Sequence, residues 1–276
     1  MTGVACGICP HRCILSEGQT GICRARSNHG GIIRSDNYGL VTSIALDPIE
    51  KKPLCHFYPG SHILSVGSFG CNLHCPFCQN YEISMACKED SLYTFISPDD
   101  LVSRALAQKP QGNIGIAFTY NEPLIGYEYV YDTCVLAREK GLKTVLVTNG
   151  YVNEEPLLAL LPLIDAMNID LKTFSEVFYK RLGGGLEDVK RTIELSAARC
   201  HVEITTLIIP DENDSDDEMR KISQWLAGIS PDIPLHISRF FPRYKMQDRR
   251  ATKIETVYHL AEIARESLHY VHEGNC

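Results

Sequence analysis

The sequence predicts an α/β fold, a partial (β/α)6 TIM-like barrel preceded by a small cysteine-rich N-terminal extension. Two observations support this prediction. From residue 62 onward, six apolar runs of strand length alternate with helical stretches, a pattern that favours a parallel sheet with helices outside it. Residues 1–60, in contrast, are rich in Gly, Cys and charged residues and show no sustained period of two or 3.6. Six units are too few to close an eight-stranded barrel, so we expect residues 61–276 to form an open, curved one.

The elements of this barrel can be assigned in order. Ser97 followed by Pro98 and two acids predicts a helix start, because serine caps the first turn and the helix dipole favours acids there. Gly141 predicts the end of the next helix. Residues 251–268 place apolar side chains on one face at helical spacing and predict the last helix. The predicted strands are His62–Phe69, Ile114–Thr119, Thr144–Thr148, Ala166–Leu171, His201–Ile209 and Leu235–Phe240.

Composition narrows the functional class. The chain has 276 residues, a formal charge of −7 and 12 cysteines. The negative charge argues against a nucleic-acid partner. No apolar run reaches the roughly 18 residues of a membrane span, and the N-terminus lacks a secretory signal. We therefore expect a cytoplasmic protein with no membrane partner. Its thiols would be reduced, and grouped cysteines there are more often metal ligands or catalytic groups than disulfides.

The most specific motif is a three-cysteine loop after the first predicted strand. Cys71, Cys75 and Cys78 have the spacing C-x3-C-x2-C, which lets three thiolates surround one iron–sulfur cube. Ordinary four-iron clusters take four cysteines, so one iron would stay open to another ligand. An open cluster is sensitive to oxidation, which predicts an anaerobic setting. The alternative is that these cysteines are buried or bind zinc.

Polar residues follow several of the other predicted strands, where the working residues of parallel barrels gather. They are Asn121 and Glu122 after the second strand, Asn149 after the third, Asp170 and Lys172 after the fourth, and His236 in the sixth. A buried carboxylate suits a cationic ammonium, and the Asp–Lys pair could hold an ammonium and a carboxylate. Each has a plainer explanation: Glu122 as a helix cap, Asp170 with Lys172 as a solvated ion pair, and His236 as a core residue.

Four further cysteines lie in the N-terminal extension: Cys6, Cys9, Cys13 and Cys23. Their spacing suits tetrahedral zinc, a second four-cysteine cluster, or no metal at all. A metal is attractive because a segment with few large apolar residues cannot fold on its own core. We expect this extension to lie over or beside the barrel mouth. His56 is its best candidate to face the cluster, and the alternative for this residue is a structural role. Cys276 could also reach the mouth.

These motifs resemble those of a known superfamily. The C-x3-C-x2-C loop with Phe77 before its last cysteine resembles the radical S-adenosylmethionine (SAM) signature. The order of cluster loop, Asn-Glu-Pro, Thr-Asn-Gly, Asp-Leu-Lys and His-Ile-Ser-Arg-Phe resembles the pyruvate formate-lyase activating enzymes. Closer still is the radical enzyme of the AmmeMemoRadiSam system, through marks such as Cys9-Pro-His-Arg-Cys13 and Phe118-Thr-Tyr-Asn-Glu-Pro123.

This resemblance implies an oxidoreductase that cleaves SAM at a [4Fe–4S] cluster to give a 5′-deoxyadenosyl radical. It implies SAM contacts from Asn121, Glu122, Asn149, Asp170, Lys172 and His236, and an electron donor such as flavodoxin or ferredoxin. The hydrogen donor would be a protein glycine, as for glycyl-radical activases, or a small metabolite or peptide. The rival from another class is a non-catalytic iron–sulfur or zinc scaffold.

Overall fold

The computed structural model describes residues 3–276 and is dominated by one curved sheet of eight strands. The 14 strands are β1 (Val4–Ala5), β2 (Ile14–Leu15), β3 (Arg26–His29), β4 (Ile32–Ser35), β5 (Leu40–Val41), β6 (Ser43–Pro48), β7 (His62–Gly67), β8 (Thr94–Phe95), β9 (Asn113–Phe118), β10 (Lys143–Thr148), β11 (Ala166–Asp170), β12 (His201–Ile208), β13 (Leu235–Arg239) and β14 (Val271–Gly274).

The described part of the chain also contains eight α-helices: α1 (Tyr81–Ser84), α2 (Pro98–Ala107), α3 (Tyr127–Glu139), α4 (Glu154–Leu160), α5 (Glu176–Leu182), α6 (Leu186–Ala197), α7 (Asp216–Ile229) and α8 (Ile254–Arg265). The predicted start of α2 is confirmed, because the Ser97 hydroxyl accepts a hydrogen bond from the backbone of Asp100 at 3.1 Å. The end of α3 is confirmed at Gly141, which adopts a φ of +66°. No helix in residues 3–276 is long and apolar enough to cross a membrane.

The main sheet has the order β14-β13-β12-β11-β10-β9-β7-β6. Neighbours from β7 to β14 are parallel and β6 is antiparallel to β7, so the predicted partial α/β barrel is confirmed. The structure adds one strand at each edge to the six predicted. The edge strand β6 lies within the predicted extension, yet it pairs with β7 along its whole length. The sheet stays open, since β14 and β6 are not paired with each other.

A plug of residues 49–57 closes the amino ends of the strands. Ile49, Leu54 and Phe57 are buried against Ile63, Ala117, Val145 and Ala166, which come from four neighbouring strands. The same segment is bonded to β12, where the buried Glu203 accepts hydrogen bonds from the backbone of Cys55 at 3.0 Å and of His56 at 2.8 Å. The plug leaves the opposite, carboxyl end of the sheet as the accessible end of the barrel.

Candidate functional site

The carboxyl ends of the strands surround a cavity of about 270 Å³. Eight of the predicted site residues line it: Cys71, Cys75, Cys78, Asn121, Glu122, Asn149, Asp170 and Lys172. Residues that the prediction did not select also line it, among them Gln79, Tyr120, Thr148, Thr205, Ser238 and Asn275. One chain therefore brings three thiols, two carboxylates and a lysine to a single cavity.

The cluster loop presents its three cysteines to this cavity. Backbone N–H of Leu73 points at the sulfur of Cys71, with an N–S distance of 3.4 Å, and the side-chain amide of Asn149 lies 3.6 Å from the same sulfur. Burial raises the pKa of Cys71 well above its ordinary value and that of Cys75 to about 12. Such thiols are protonated on their own and need a cation to become thiolates. Among residues 3–276, no fourth cysteine lines the cavity.

This donor set fits a four-iron cluster with one open iron. Three sulfurs that share a cavity, with amide donors on one of them, match the ligation of such clusters. In residues 3–276 no three His, Cys, Asp or Glu side chains converge on a single-ion site. A cube does not require such convergence, because each cysteine binds its own iron. The finding therefore agrees with a cluster and gives no support to zinc at this loop.

Asn121 holds the backbone that leads into the cluster loop. Its side-chain oxygen accepts from the backbone of Ser68 at 3.0 Å, and its amide donates to the carbonyls of Phe69 and Gly70, both at 3.1 Å. Gly70 has a φ of +85°, and a Cβ there would lie 2.5 Å from the carbonyl oxygen of Cys23. Asn121 and the glycine together fix the direction in which the cysteine loop leaves β7.

Glu122 is buried beside the cluster loop and is held by three donors. Its carboxylate accepts from the backbone of Leu124 at 3.0 Å, the hydroxyl of Thr148 at 2.8 Å and the backbone of Asn149 at 2.8 Å. Burial raises the pKa of Glu122 to about 7, against the lowering effect of these hydrogen bonds. The cap predicted as the plainer explanation is present, and the same carboxylate lines the cavity. A carboxylate has about four acceptor positions, so one remains for a ligand.

Asn149 connects Glu122 to the cluster loop through a residue that the sequence did not single out. Its amide donates to the side-chain oxygen of Asn72 at 2.9 Å, and its own oxygen accepts from the backbone of Tyr151 at 2.8 Å. Asn72 in turn donates to the Tyr151 carbonyl at 2.7 Å and is buried. The sequence signal that could have identified Asn72 is its position directly after Cys71, because an amide buried beside the cluster loop must find hydrogen-bond partners.

Asp170 and Lys172 form an ion pair in the cavity wall. The Lys172 ammonium lies 2.6 Å from the Asp170 carboxylate, and the two side chains are partly exposed to the cavity. Burial alone would lower the pKa of Lys172, but Asp170 and then Cys75 raise it above its ordinary value. The lysine is therefore cationic and close enough to Cys75 to affect the charge at the cluster loop. The pair is not the freely solvated one that was the alternative.

Two histidines predicted near the cavity lie elsewhere. His236 bonds to Glu203 at 2.6 Å and is buried, while Ser238, two residues further along the same strand, lines the cavity. The two share a face, but only the one nearer the carboxyl end reaches the opening. His56 lies at the amino end of the sheet, 2.9 Å from His272 between the Nε2 atoms, so the expectation that it faces the cluster is wrong.

The N-terminal extension divides between the two ends of the barrel. Residues 49–57 form the plug, whereas the cysteine-rich part lies beside the cluster loop, where the backbone of Asn153 donates to the Ile8 carbonyl at 2.9 Å. Cys6, Cys9, Cys13 and Cys23 line one cavity there. At the other end of the chain, Asn275 lines the functional cavity while Cys276 is exposed.

Comparison with known proteins shows the family of this chain. A family model described as the radical SAM superfamily matches residues 65–222. An uncharacterized protein of Methanocaldococcus jannaschii is 42% identical over 275 residues, which cover 99% of this chain and 81% of that protein. The pyruvate formate-lyase-activating enzyme of Clostridium pasteurianum is 27% identical over 170 residues, 58% of this chain and 67% of that protein.

The fold also matches a solved structure. The crystal structure of Streptococcus suis SuiB bound to the precursor peptide SuiA superposes with a TM-score of 0.60 at 14% identity. The match covers 76% of this chain and 47% of SuiB. At this identity the likeness concerns the fold alone, and it agrees with the partial barrel described above.

Proposed function

This chain belongs to the radical SAM superfamily, and from that premise we propose that it cleaves S-adenosylmethionine reductively to methionine and a 5′-deoxyadenosyl radical. The family implies a [4Fe–4S] cluster and SAM, and the match to an activating enzyme relates the chain to glycyl-radical activases. We also propose that this chain belongs with the radical enzyme of the AmmeMemoRadiSam system. The N-terminal motifs of this chain support that assignment.

One observation carries the proposal: three thiols, a buried carboxylate with a free acceptor position and a partly exposed ion pair line the same cavity. Cys71, Cys75 and Cys78 would hold the cluster. When bound, the cluster supplies the low-potential electron that a sulfonium requires. A non-catalytic iron–sulfur scaffold would not require Glu122 or a charged pair in the wall of a cavity this large.

The chain's own residues would bind and orient the methionine part of SAM. Glu122 has an acceptor position left for the amino group, and its three internal donors keep the carboxylate in one orientation. Lys172 offers a cation for the carboxylate while Asp170 balances its charge. Holding both ends of the amino acid replaces a bimolecular encounter with a fixed geometry.

For the hydrogen donor we propose a protein or peptide, in keeping with the activating-enzyme relative. The sheet is open between β14 and β6, and residues 49–57 close only the amino end of the barrel. An open side admits a protein loop, whereas a metabolite enzyme would be expected to seal the mouth. The electron would come from a one-electron donor protein such as flavodoxin or ferredoxin.

The cleavage is tested by anaerobic reconstitution with iron and sulfide, followed by a search for dithionite-dependent 5′-deoxyadenosine. We expect product from the wild-type chain and from a Cys87→Ala control, since Cys87 is a partly exposed cysteine outside the cavity. The triple variant Cys71→Ala, Cys75→Ala, Cys78→Ala should lose both the open cluster and the product. Cleavage by the triple variant, or a wild type that binds iron without cleaving SAM, would defeat the proposal in favour of a scaffold.

The substrate class is tested with extract from cells grown on α-deuterated glycine. Abstraction from a protein or peptide glycine should place deuterium in 5′-deoxyadenosine when the macromolecular fraction is supplied. Deuterium transfer from the small-molecule filtrate alone would indicate a metabolite instead.

A further inference from the structure

The four N-terminal cysteines surround a cavity separate from the functional one. Cys6, Cys9 and Cys23 are buried, Cys13 is partly exposed, and the rest of the wall is largely apolar, from Ile8, Leu15, Ile22 and Ile125. The strands β1 and β2 form a hairpin in which the backbone of Cys6 donates to the Cys13 carbonyl at 2.9 Å. The fold thus gathers four thiols from 18 residues without pairing any of them in a disulfide.

A buried cation without a complete set of partners faces the same site. Arg26 is 4% exposed, and its two terminal nitrogens bond to Glu128 at 2.6 and 2.7 Å and to the Ile125 carbonyl at 2.9 Å. Its third nitrogen, Nε, has no hydrogen-bond partner, and Arg26 lines the same cavity as the four cysteines. A buried guanidinium N–H without an oxygen acceptor is costly unless an anion completes it.

The arrangement does not match the geometry of a single-ion site. Zinc at about 2.3 Å from each sulfur would draw four sulfurs to about 3.8 Å from one another. In residues 3–276 no three potential ligands converge in that way. The cluster loop with Cys71, Cys75 and Cys78 shows the same lack of convergence. The spacing C-x2-C-x3-C of Cys6, Cys9 and Cys13 also repeats, in reverse order, the two spacings of that loop.

The site touches both residues that flank Cys71. The carbonyl oxygen of Cys23 packs against Gly70. His11 adds a hydrogen bond of 2.9 Å to the Asn72 carbonyl. Any metal centre held by the four cysteines would therefore be a direct neighbour of the cluster loop.

We propose that Cys6, Cys9, Cys13 and Cys23 bind a second four-iron cluster, which passes single electrons from an external flavin or iron–sulfur donor protein to the cluster in the cavity. Each electron received from the donor is handed on, so the second cluster returns to its oxidised state and no bond is made or broken there. Four cysteine ligands leave it no open iron, so it cannot bind SAM. The relay depends on the proposed SAM cleavage, whereas the second cluster itself does not.

The cluster is tested by counting metals in anaerobically reconstituted protein. We expect about eight irons in the wild type and about four in each of two reciprocal variants. One replaces Cys6, Cys9, Cys13 and Cys23 by serine, and the other replaces Cys71, Cys75 and Cys78 by alanine. Addition of SAM should change the electron paramagnetic resonance signal of the first variant and leave that of the second unchanged. Four irons with one zinc in the wild type, or four irons and no other metal, would overturn the second cluster.

A single substitution keeps the test valid if the serine quadruple variant does not fold. Cys13→Ser alters only the least buried of the four cysteines and should lower the iron content or give a three-iron signal, while Cys276→Ser should keep about eight irons. An unchanged cluster in folded Cys13→Ser protein would remove this residue as a ligand and contradict the proposal. For the relay, the ratio of flavodoxin-driven to dithionite-driven SAM cleavage should fall at least tenfold in the serine quadruple variant. An unchanged ratio would overturn the relay and leave the iron count to decide the cluster.

Discussion

The backbone amide of Asn149 donates a hydrogen bond to the carboxylate of Glu122 at 2.8 Å, which joins the ends of two neighbouring strands beside the cluster loop. The same Asn149 places its side-chain amide 3.6 Å from the sulfur of Cys71. The carboxylate proposed to bind SAM and the sulfur proposed to bind iron are thus positioned by one residue. A change at either site should be felt at the other mainly through this asparagine.

Replacing Glu122 by glutamine should weaken SAM binding without removing the cluster. The variant keeps the shape of the side chain, but its amide nitrogen faces the N–H of Asn149 and it loses the charge-assisted hydrogen bond to the amino group of SAM. That lost bond is worth roughly 1.5–3 kcal/mol. We expect the dissociation constant for SAM to rise about tenfold to hundredfold in a binding titration of reconstituted protein. Iron content should match that of the wild type. The exposed Glu155→Gln is the control, and unchanged affinity in Glu122→Gln would remove this carboxylate from the SAM site.

SAM binding should also become weaker in acid because of the same group. Burial raises the pKa of Glu122 to about 7, so the carboxylate is mostly protonated at pH 6 and mostly ionised at pH 8. Only the ionised form accepts from the amino group with full strength. The affinity advantage of wild type over Glu122→Gln should therefore grow about tenfold from pH 6 to pH 8 and level off above that. Titrations at four pH values would measure it, and a constant ratio would contradict the assignment.

The sequence predicted the barrel and most of the cavity because both rest on local patterns. Strand-length apolar runs define the parallel core, and polar residues just after parallel strands must meet at one end of a sheet. Glu122, Asn149, Asp170 and Lys172 were found in this way. The edge strands β6 and β14 were missed as members of the sheet, since each is partly exposed and pairs only through contacts distant in sequence.

The two misplaced histidines show where such reasoning stops. The period of a strand tells which face a residue occupies but not how far along the barrel it lies. His236 lies two residues before the cavity-lining Ser238, toward the amino end of the same strand. His56 belongs to a plug whose position depends on burying Leu54 and Phe57 against four strands. Nothing local in residues 49–57 distinguishes a plug at the bottom of the barrel from a cap at its mouth.

Replacing Lys172 by methionine should make the cavity cluster harder to reduce. Lys172 is a cation close to Cys75, and a nearby positive charge favours the reduced, more negative state of a cluster. The midpoint potential should become more negative, by about 60 mV for every 1.4 kcal/mol of stabilisation lost. A redox titration followed by electron paramagnetic resonance would measure it. Lys221→Met alters an exposed lysine paired with Asp217 and should leave the potential unchanged; an equal shift in both variants would contradict a local effect.

Replacing Glu203 by glutamine should destabilise the fold and spare the cavity. Four donors converge on this buried carboxylate: the backbone of Cys55 and His56, His201 at 2.8 Å and His236 at 2.6 Å. A glutamine opposes two of them with its own amide hydrogens. Removing one partner of a buried charged network costs about 3–5 kcal/mol, so the free energy of unfolding in urea should fall by about that amount at pH 7. The exposed Glu255→Gln is the control and should change it by less than about 0.5 kcal/mol.

The loss at Glu203 should itself depend on pH in a defined direction. Burial would raise the pKa of this carboxylate, but hydrogen bonds from His201 and His236, and then from the two backbone amides, lower it to about 2. A depressed pKa in the folded state gives stability that is complete above the ordinary glutamate pKa of about 4.5 and is lost as the pH falls toward 2. The difference in unfolding free energy between wild type and Glu203→Gln should therefore shrink from pH 5 to pH 3. A difference that stayed constant over this range would show that Glu203 acts through packing rather than through its charge.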